Sequence, residues 1–333
     1  MEGFVNWRLL ESLSGWNSRK TQEEIAFWDD WAPNWEKRCA LETAFTDKQV
    51  AALDIRDEDT VLDACCGSGR LTIPLAKMAK RVTALDSSEQ MLELCRLKAE
   101  GEGLHNIDYL KADWHELTPG QNLSAHDVTV ACISPASSDI IKLSKSATRR
   151  CHSLSFSKPY AYCNVLADLF SGVNAEWADS DEALRKYQLG PFASRGFDLN
   201  VSFNVLYDSG VNPSIGYVRG GWEYESDTFD GLLGHLSGLG TIESGREALF
   251  AENVRRHTVR LSNGKLLFRT STEMYVLSWN PAELDGAALL QFTPPRIPHC
   301  HPGPHCHPGP HCHPGPHCHP GPHCHPGPHC HPE

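Results

Sequence analysis

Residues 61–77 read VLDACCGSGRLTIPLAK, with an acid, Asp63, four positions before the first of two closely spaced glycines, Gly67 and Gly69. A strand that runs into a glycine turn and then a helix can receive the polar part of a nucleotide-like ligand. Glycines let the backbone come close, and free N–H groups at the helix start point outward. Asp86 closes the next apolar run, VTALD, nineteen positions after Gly67. A carboxylate there can accept two hydrogen bonds from ribose hydroxyls, each worth roughly 1.5–3 kcal/mol. Asp113 ends a third run, DYLKAD, where it would reach an adenine amino group. A dinucleotide fold asks for a third glycine, but Thr72 stands there, which disfavours NAD or FAD. Three acids ending three consecutive strands favour a ligand site over a set of unrelated helix caps.

These residues need a scaffold that brings the three strand ends to one edge. From residue 60 to about 157 apolar runs suited to buried strands (TVLDACC, RVTALD, IDYLKAD, HDVTVACIS, CHSLSFS) alternate with the helical patterns GRLTIPLAKMAK, SSEQMLELCRLKAEGEG and ASSDIIKLSKSATRR. That alternation predicts an α/β fold with a doubly wound, mostly parallel sheet and helices on both faces. Residues 1–55 read as an N-terminal helical cap rich in tryptophan, ending in TDKQVAALDI. Residues 56–292 form the main domain, in which DLNVSFNVLYDSG, SIGYVRGGWEYES and GKLLFRTSTEMYVLSWN have the β-branched and aromatic content of further strands. Helical insertions are expected near 175–190 and 227–256. Residues 293–333 carry no periodic apolar content, and proline at two positions in every six predicts a tail without fixed structure in the absence of metal.

The glycine loop and its partner acids resemble the class I S-adenosylmethionine-dependent methyltransferases, clearly over about residues 25–160. The resemblance implies a seven-stranded Rossmann-like sheet and S-adenosylmethionine as cofactor. It implies that Asp63 orients the methionine amino group through the loop, that Gly67 and Gly69 line the cofactor, that Asp86 holds the ribose, and that Asp113 and Trp114 bracket the adenine. Ser87, Met91 and Ser134 complete the expected cofactor set. Cys65 stands where the family usually has its first glycine. The family's fourth strand ends near the acceptor, and here that end reads CISPASSD. Ser134 and Pro135 resemble the start of the signature of enzymes that methylate exocyclic base amines, but Ala136 and Ser137 lack its second proline and stacking ring. A small-molecule methyl acceptor is therefore expected.

Trp28, Trp31 and Trp35 recur at intervals of three and four, one helical face if the helix survives Pro33. They read as core packing, or as a lid over the methyl donor completed by Tyr160, Tyr162 and the aromatics of NVLYDSG. No catalytic base stands out, and His115, His126 and His152 are isolated in sequence.

The formal charge of −12 lies almost wholly outside the tail and would repel a phosphate backbone, so no nucleic-acid partner is expected. Glu2 and the broken apolar pattern of MEGFVNWRLLESLSGW predict neither a signal peptide nor a membrane partner, hence a cytoplasmic protein. Of thirteen cysteines, seven lie between Cys39 and Cys163 without regular spacing and read as reduced thiols. The other six belong to a repeat of six residues, HCHPGP. Its ligand candidates are His299, Cys300, His301, His305, Cys306, His307, His311, Cys312, His313, His317, Cys318, His319, His323, Cys324, His325, His329, Cys330 and His331. Thiolate and imidazole suit Zn, Ni or Cu, with each site drawing on successive units. A metal storage or delivery protein on a reused fold is the alternative reading, and a dispensable repeat the plainest one.

Overall fold

The computed structural model of the chain describes residues 6–12, 22–157, 166, 168–174 and 198–285. The predicted helix near 175–190, Tyr160, Tyr162 and the whole repeat lie outside them. The principal sheet has seven strands in the order β3-β2-β1-β4-β5-β10-β6. They are β1 (Thr60–Ala64), β2 (Arg81–Asp86), β3 (Ile107–Lys111), β4 (His126–Cys132), β5 (Ala147–Phe156), β6 (Ser214–Gly220) and β10 (Thr272–Trp279). Pairing from β3 through β5 is parallel, and β10 runs antiparallel to both its neighbours. This is the doubly wound, mostly parallel sheet that the sequence predicts. Alternate residues of each strand feed opposite faces: Leu62, Ala64, Leu85 and Ala131 join one core cluster, while Val61, Val82, Val128 and Val130 join the other. Burial on both faces explains why the runs are apolar throughout.

Helices close both faces. Helix α5 (Glu89–Gly101) buries Met91, Leu92, Cys95 and Ala99 at helical spacing, and the Ser88 hydroxyl caps it by accepting from Met91 N at 3.1 Å. Helix α4 (Thr72–Ala76) is short, and α6 (Ile140–Lys145) is capped by Asp139. The expected helix through Arg150 stops at Lys145, because β5 begins at Ala147 and pairs with β4. A second correction concerns DLNVSFNVLYDSG, which forms the helix Asp198–Asp208. Its buried residues Val201, Ser202, Val205, Leu206 and Ser209 recur at helical intervals that the β-branched content masks.

The run SIGYVRGGWEYES divides between two sheets. Strand β6 leaves the main sheet at Gly220, and the chain continues as β7 (Glu223–Ser226), paired in a three-stranded antiparallel sheet with β9 (Leu266–Arg269), which also pairs β8 (Thr258–Arg260). A side chain at Gly221 would stand 2.2 Å from the Thr270 carbonyl, so only glycine lets the ribbon turn there. Helices Phe229–Leu236 and Glu247–Arg256 pack on this sheet around Trp222, Phe250 and Phe268.

The N-terminal cap contributes α1 (Trp7–Ser12), α2 (Gln22–Leu41), which runs through Pro33, and α3 (Thr43–Ala51). Glu42, between α2 and α3, ties the parts together. Its Oε1 accepts from the Trp222 indole at 2.9 Å and lies 3.6 Å from Arg38 Nε, and its Oε2 lies 3.6 Å from Arg70 Nε. All of these groups are largely buried. Glu42→Ala would strand two guanidinium groups, and breaking a buried pair in this way costs about 3–5 kcal/mol. Urea unfolding of the full chain should show that loss, and a smaller one for Glu42→Gln, which keeps an acceptor for Trp222.

Candidate functional site

The C-terminal ends of β1, β2, β3 and β4 lie side by side, the edge at which open α/β sheets bind ligands. Two non-glycine residues hold left-handed backbone there, Cys65 at φ 61° after β1 and Ile133 at φ 48° after β4. For a β-branched residue such as Ile133 this conformation is strained, and strain of this kind gathers at functional sites. The sequence reading noted Cys65 and missed Ile133, because a conformation leaves no compositional mark.

Gly67 and Gly69 take φ 56° and 81°, turning the chain so that Gly67 N donates to Asp86 Oδ2 at 2.8 Å. Asp86 Oδ1 accepts from Ser88 N at 2.9 Å. Both oxygens of the expected ribose-binding carboxylate are thus aimed by backbone N–H groups before any ligand arrives. Ala112 N donates to Asp86 O at 3.0 Å and brings the β3 end, with Asp113, alongside. Ser134 Oγ donates to Ala64 O at 3.4 Å and joins the β4 end to β1.

Asp63 lies beneath the loop, wholly enclosed. Its Oδ2 accepts from the Thr72 hydroxyl at 2.6 Å, which gives a physical reason for threonine where a dinucleotide fold has glycine. Burial pushes its carboxyl up to about 6, with the charge of Asp86 adding to the rise, while Thr72 and Arg70 pull it down. Arg70, next in the loop, spans from the core to the cap: Nη1 donates to Gln49 Oε1 at 2.7 Å and to Thr46 Oγ1 at 3.0 Å, and Nη2 to Cys132 Sγ at 3.0 Å. Burial raises the Cys132 thiol to about 11, so at neutral pH it is a protonated thiol at the β4 end.

Asp113 Oδ1 accepts from both the backbone N and the ring Nδ1 of His115, each at 3.0 Å, so His115 is not isolated. Trp114 is 2% exposed, and its indole N–H goes to Asp139 Oδ2 at 3.1 Å. The ring is packed in the core behind the β3 end, with Lys142 Nζ 4.7 Å from its centroid. Met91 is buried and Ser87 partly exposed, just beyond Asp86. His126 bonds Thr83 and the Ser124 carbonyl at the start of β4, away from this edge. His152 is a core histidine bonded to Ser278, and burial lowers it to about 3.

Helix α2 lies against the loop. A side chain at Gly67 would come within 3.2 Å of Trp35 Nε1, and Asp29 accepts from the Ser88 hydroxyl and, at 3.2 Å, from Gln90 N. Trp28, Trp31 and Trp35 form one aromatic group, with ring centroids 5.8–6.2 Å apart, while Phe27 beside them is 55% exposed. Asp29 is a candidate-site residue that sequence reasoning missed, since its partner Ser88 is 59 residues away in the chain. Tyr207 of NVLYDSG stacks on Phe203 at an exposed face.

Fold and site together define a doubly wound, Rossmann-like α/β domain with a glycine loop and acids at one strand-end edge. Residues 61–152 match the family described as "Methyltransferase domain", a segment that carries β1 to β4, most of β5 and every expected cofactor residue. The curated relatives include 23S rRNA (uracil(1939)-C(5))-methyltransferase RlmD of Aliivibrio fischeri, 30% identical over 27% of this chain and 20% of that one, and of Salmonella typhi, 33% identical over 25% and 20%. The chain thus spans about a fifth of the length of these relatives. Among solved structures, magnesium protoporphyrin IX methyltransferase from Synechocystis PCC 6803 is similar at 16% identity, covering 76% of this chain and 99% of that one with a TM-score of 0.42.

The RNA-modifying relatives overturn the expectation of no nucleic-acid partner. The physical reason is that the net charge misled: residues 61–152 hold eleven Lys and Arg against eleven Asp and Glu, so the acidity belongs to the rest of the chain. Among the described residues no cluster of three or more His, Cys, Asp or Glu is placed to hold a metal, and no helix is long and apolar enough to cross a membrane.

The raised Asp63 fixes a sign. With its folded pKa above the ordinary carboxylate range, the folded chain holds a proton between about pH 4 and 6 that the unfolded chain lacks, so this residue's contribution to stability rises as pH falls. From pH 7 to 5 the wild type should gain about 1 kcal/mol relative to Asp63→Asn in parallel urea titrations.

Proposed function

We propose that this chain transfers a methyl group from S-adenosylmethionine. The observation that carries the reading is the Asp86 carboxylate, held from two sides by Gly67 and Ser88 N–H groups at the edge it shares with Asp63, Asp113 and Ser134. The cofactor would supply a methyl group on a positively charged sulfur, which departs as a neutral thioether. Asp86 accepts the ribose hydroxyls, and the left-handed Gly67 and Gly69 let the backbone approach. Asp63 orients the methionine amino group through the loop, Asp113 takes the adenine amino group, and Ser87, Met91 and Ser134 line the remainder. Trp114 supports that wall from behind. Transfer is an in-line displacement in which positioning supplies most of the rate, so no base on the chain is required. The cofactor residues lie inside the segment that matches the methyltransferase family model, and the curated relatives that resemble this chain over 84–90 residues carry a name that specifies uracil in 23S rRNA. RNA is accordingly the first acceptor to assay, with a metabolite extract as the second arm and a labelled methyl group as the readout.

The repeat supports a second activity, binding of Zn, Ni or Cu by its cysteines and histidines. A metal storage or delivery role for the whole chain differs from the enzyme reading in one measurement: calorimetry of S-adenosylmethionine on full chain with a chelator and on residues 1–296. Saturable binding to both supports the enzyme; none to either, with the fold intact, removes it.

Asp86→Ala should weaken cofactor binding by about 2–4 kcal/mol. It should also cost stability, contrary to what a strand-end acid with few partners would imply, because two loop N–H groups lose their acceptor. Asp86→Asn keeps one acceptor and should fall between the two.

Metal uptake by the repeat should release protons and weaken as pH falls, since cysteine binds as thiolate. A synthetic peptide of three repeat units should match the full chain per unit in a competition titration with Zn²⁺. A much weaker peptide would mean that the folded part supplies ligands.

A further inference from the structure

Asp113 does not stand alone at the end of β3. Directly after it the chain makes one short 3₁₀ turn, Trp114–Glu116, and that turn is anchored on both sides of His115: Trp114 and Leu117 are buried, and the Trp114 indole is fixed to Asp139. Glu116 N donates to Asp113 O at 3.0 Å and closes the turn. The backbone between the two anchors brings His115 back over the acid it follows, where its backbone N and its ring Nδ1 each lie 3.0 Å from Asp113 Oδ1. An ionised carboxylate only accepts, so the ring proton of this second bond is on Nδ1. Both side chains are mostly enclosed, Asp113 at 9% exposure and His115 at 14%, which leaves water little access to compete for the bond.

We infer that His115 is a positioning residue: it aims the Asp113 carboxylate at an exocyclic amino group and so makes the site selective for an adenine ring. Each carboxylate oxygen has two lone pairs. His115 engages both of those on Oδ1, which directs an incoming N–H to Oδ2 and sets the plane in which it must approach. The backbone bond by itself holds one oxygen in place; the ring N–H, as a second donor, also resists rotation of the carboxylate. Ala112 N donates to Asp86 O at 3.0 Å, so the chain just before Asp113 is tied to the acid that would hold the ribose. With His115 in place, the acceptor for the base is fixed relative to the acceptor for the sugar. A purine without the amino group brings no donor to this carboxylate, and a buried acceptor aimed in advance and left unpaired is what makes a site reject such an analogue. The inference rests on the function proposed above, because it concerns the adenine of that cofactor.

Calorimetry on the full chain with two probes tests it: S-adenosylhomocysteine, which is the cofactor without its methyl group, and the same molecule with hydrogen in place of the adenine amino group. The wild type should prefer the first by at least about tenfold, the worth of one hydrogen bond to a charged group. His115→Phe keeps a ring but no donor; it should lower that preference by about threefold or more, while its affinity for the probe without the amino group stays close to that of the wild type. His115→Asn, whose side-chain N–H can stand in for Nδ1–H, should keep the preference. Each variant is judged by the ratio of two ligands on one protein, so a general loosening of the fold, which weakens both alike, leaves the ratio unchanged. Should His115→Phe fail to fold, His115→Leu provides the donor-free comparison. A folded donor-free variant with the wild-type ratio overturns the inference, and so does a loss of preference in His115→Asn as large as that in His115→Phe. Equal affinity of the wild type for the two probes overturns it as well and leaves the proposed function standing. Binding of neither probe by the folded wild type removes the proposed function and this inference with it.

Discussion

One buried carboxylate holds the cap, the glycine loop and the small antiparallel sheet in a common frame. Glu42 is where α2 ends and α3 begins, and its two oxygens meet Arg38 of α2, Arg70 of the glycine loop and Trp222 at the entry to the second sheet. Buried ion pairs seldom add net stability, since desolvation offsets the attraction. What this one supplies is a fixed geometry: Arg70 cannot follow Glu42, Gln49 and Thr46 without setting the position of Gly69 and Gly67, which precede it in the loop. The tryptophan helix reaches the same loop independently, through Trp35 over Gly67 and Asp29 on the helix cap Ser88. The strand-end edge that carries the glycine loop is therefore braced from the cap as well as from the sheet.

Much of the scaffold was legible because parallel strands buried on both faces leave an unmistakable run of apolar residues. The five strands from 60 to 157 and the amphipathic α5 follow from that alone. What failed did so for nameable reasons. Asp198–Asp208 has the β-branched content of a strand, and only its burial at helical intervals reveals it. The β6–β7 ribbon reads as one strand because nothing local says that Gly221 must pass within touching distance of Thr270. The exclusion of nucleic acid rested on a charge averaged over the whole chain, which the neutral segment 61–152 does not share.

At the site, residue type and spacing were enough to name Asp63, Gly67, Gly69, Asp86 and Asp113, and the structure brings them to one edge. Supporting groups were not legible, since they come from distant parts of the chain. Asp29 is 59 residues from the serine it holds, and Cys132 is 62 from Arg70. Trp114 shows the reverse problem. Its position beside Asp113 suggested a ring facing the ligand, but an indole with its N–H bonded to Asp139 and its faces packed in the core acts on a ligand only through the wall it stiffens.

The two left-handed residues, Cys65 and Ile133, follow the two central strands, where the sheet's parallel halves diverge. Glycine would remove the strain at either position, at the cost of chain entropy and a softer turn. A side chain in a sparsely allowed backbone region persists only where its surroundings over-determine it. Here they do: Cys66 N is bonded to Leu85 O and Ile133 N to Leu154 O, so the peptide that follows Cys65 and Ile133 itself are each held by a neighbouring strand. A loop gripped in this way loses little further freedom when a ligand arrives.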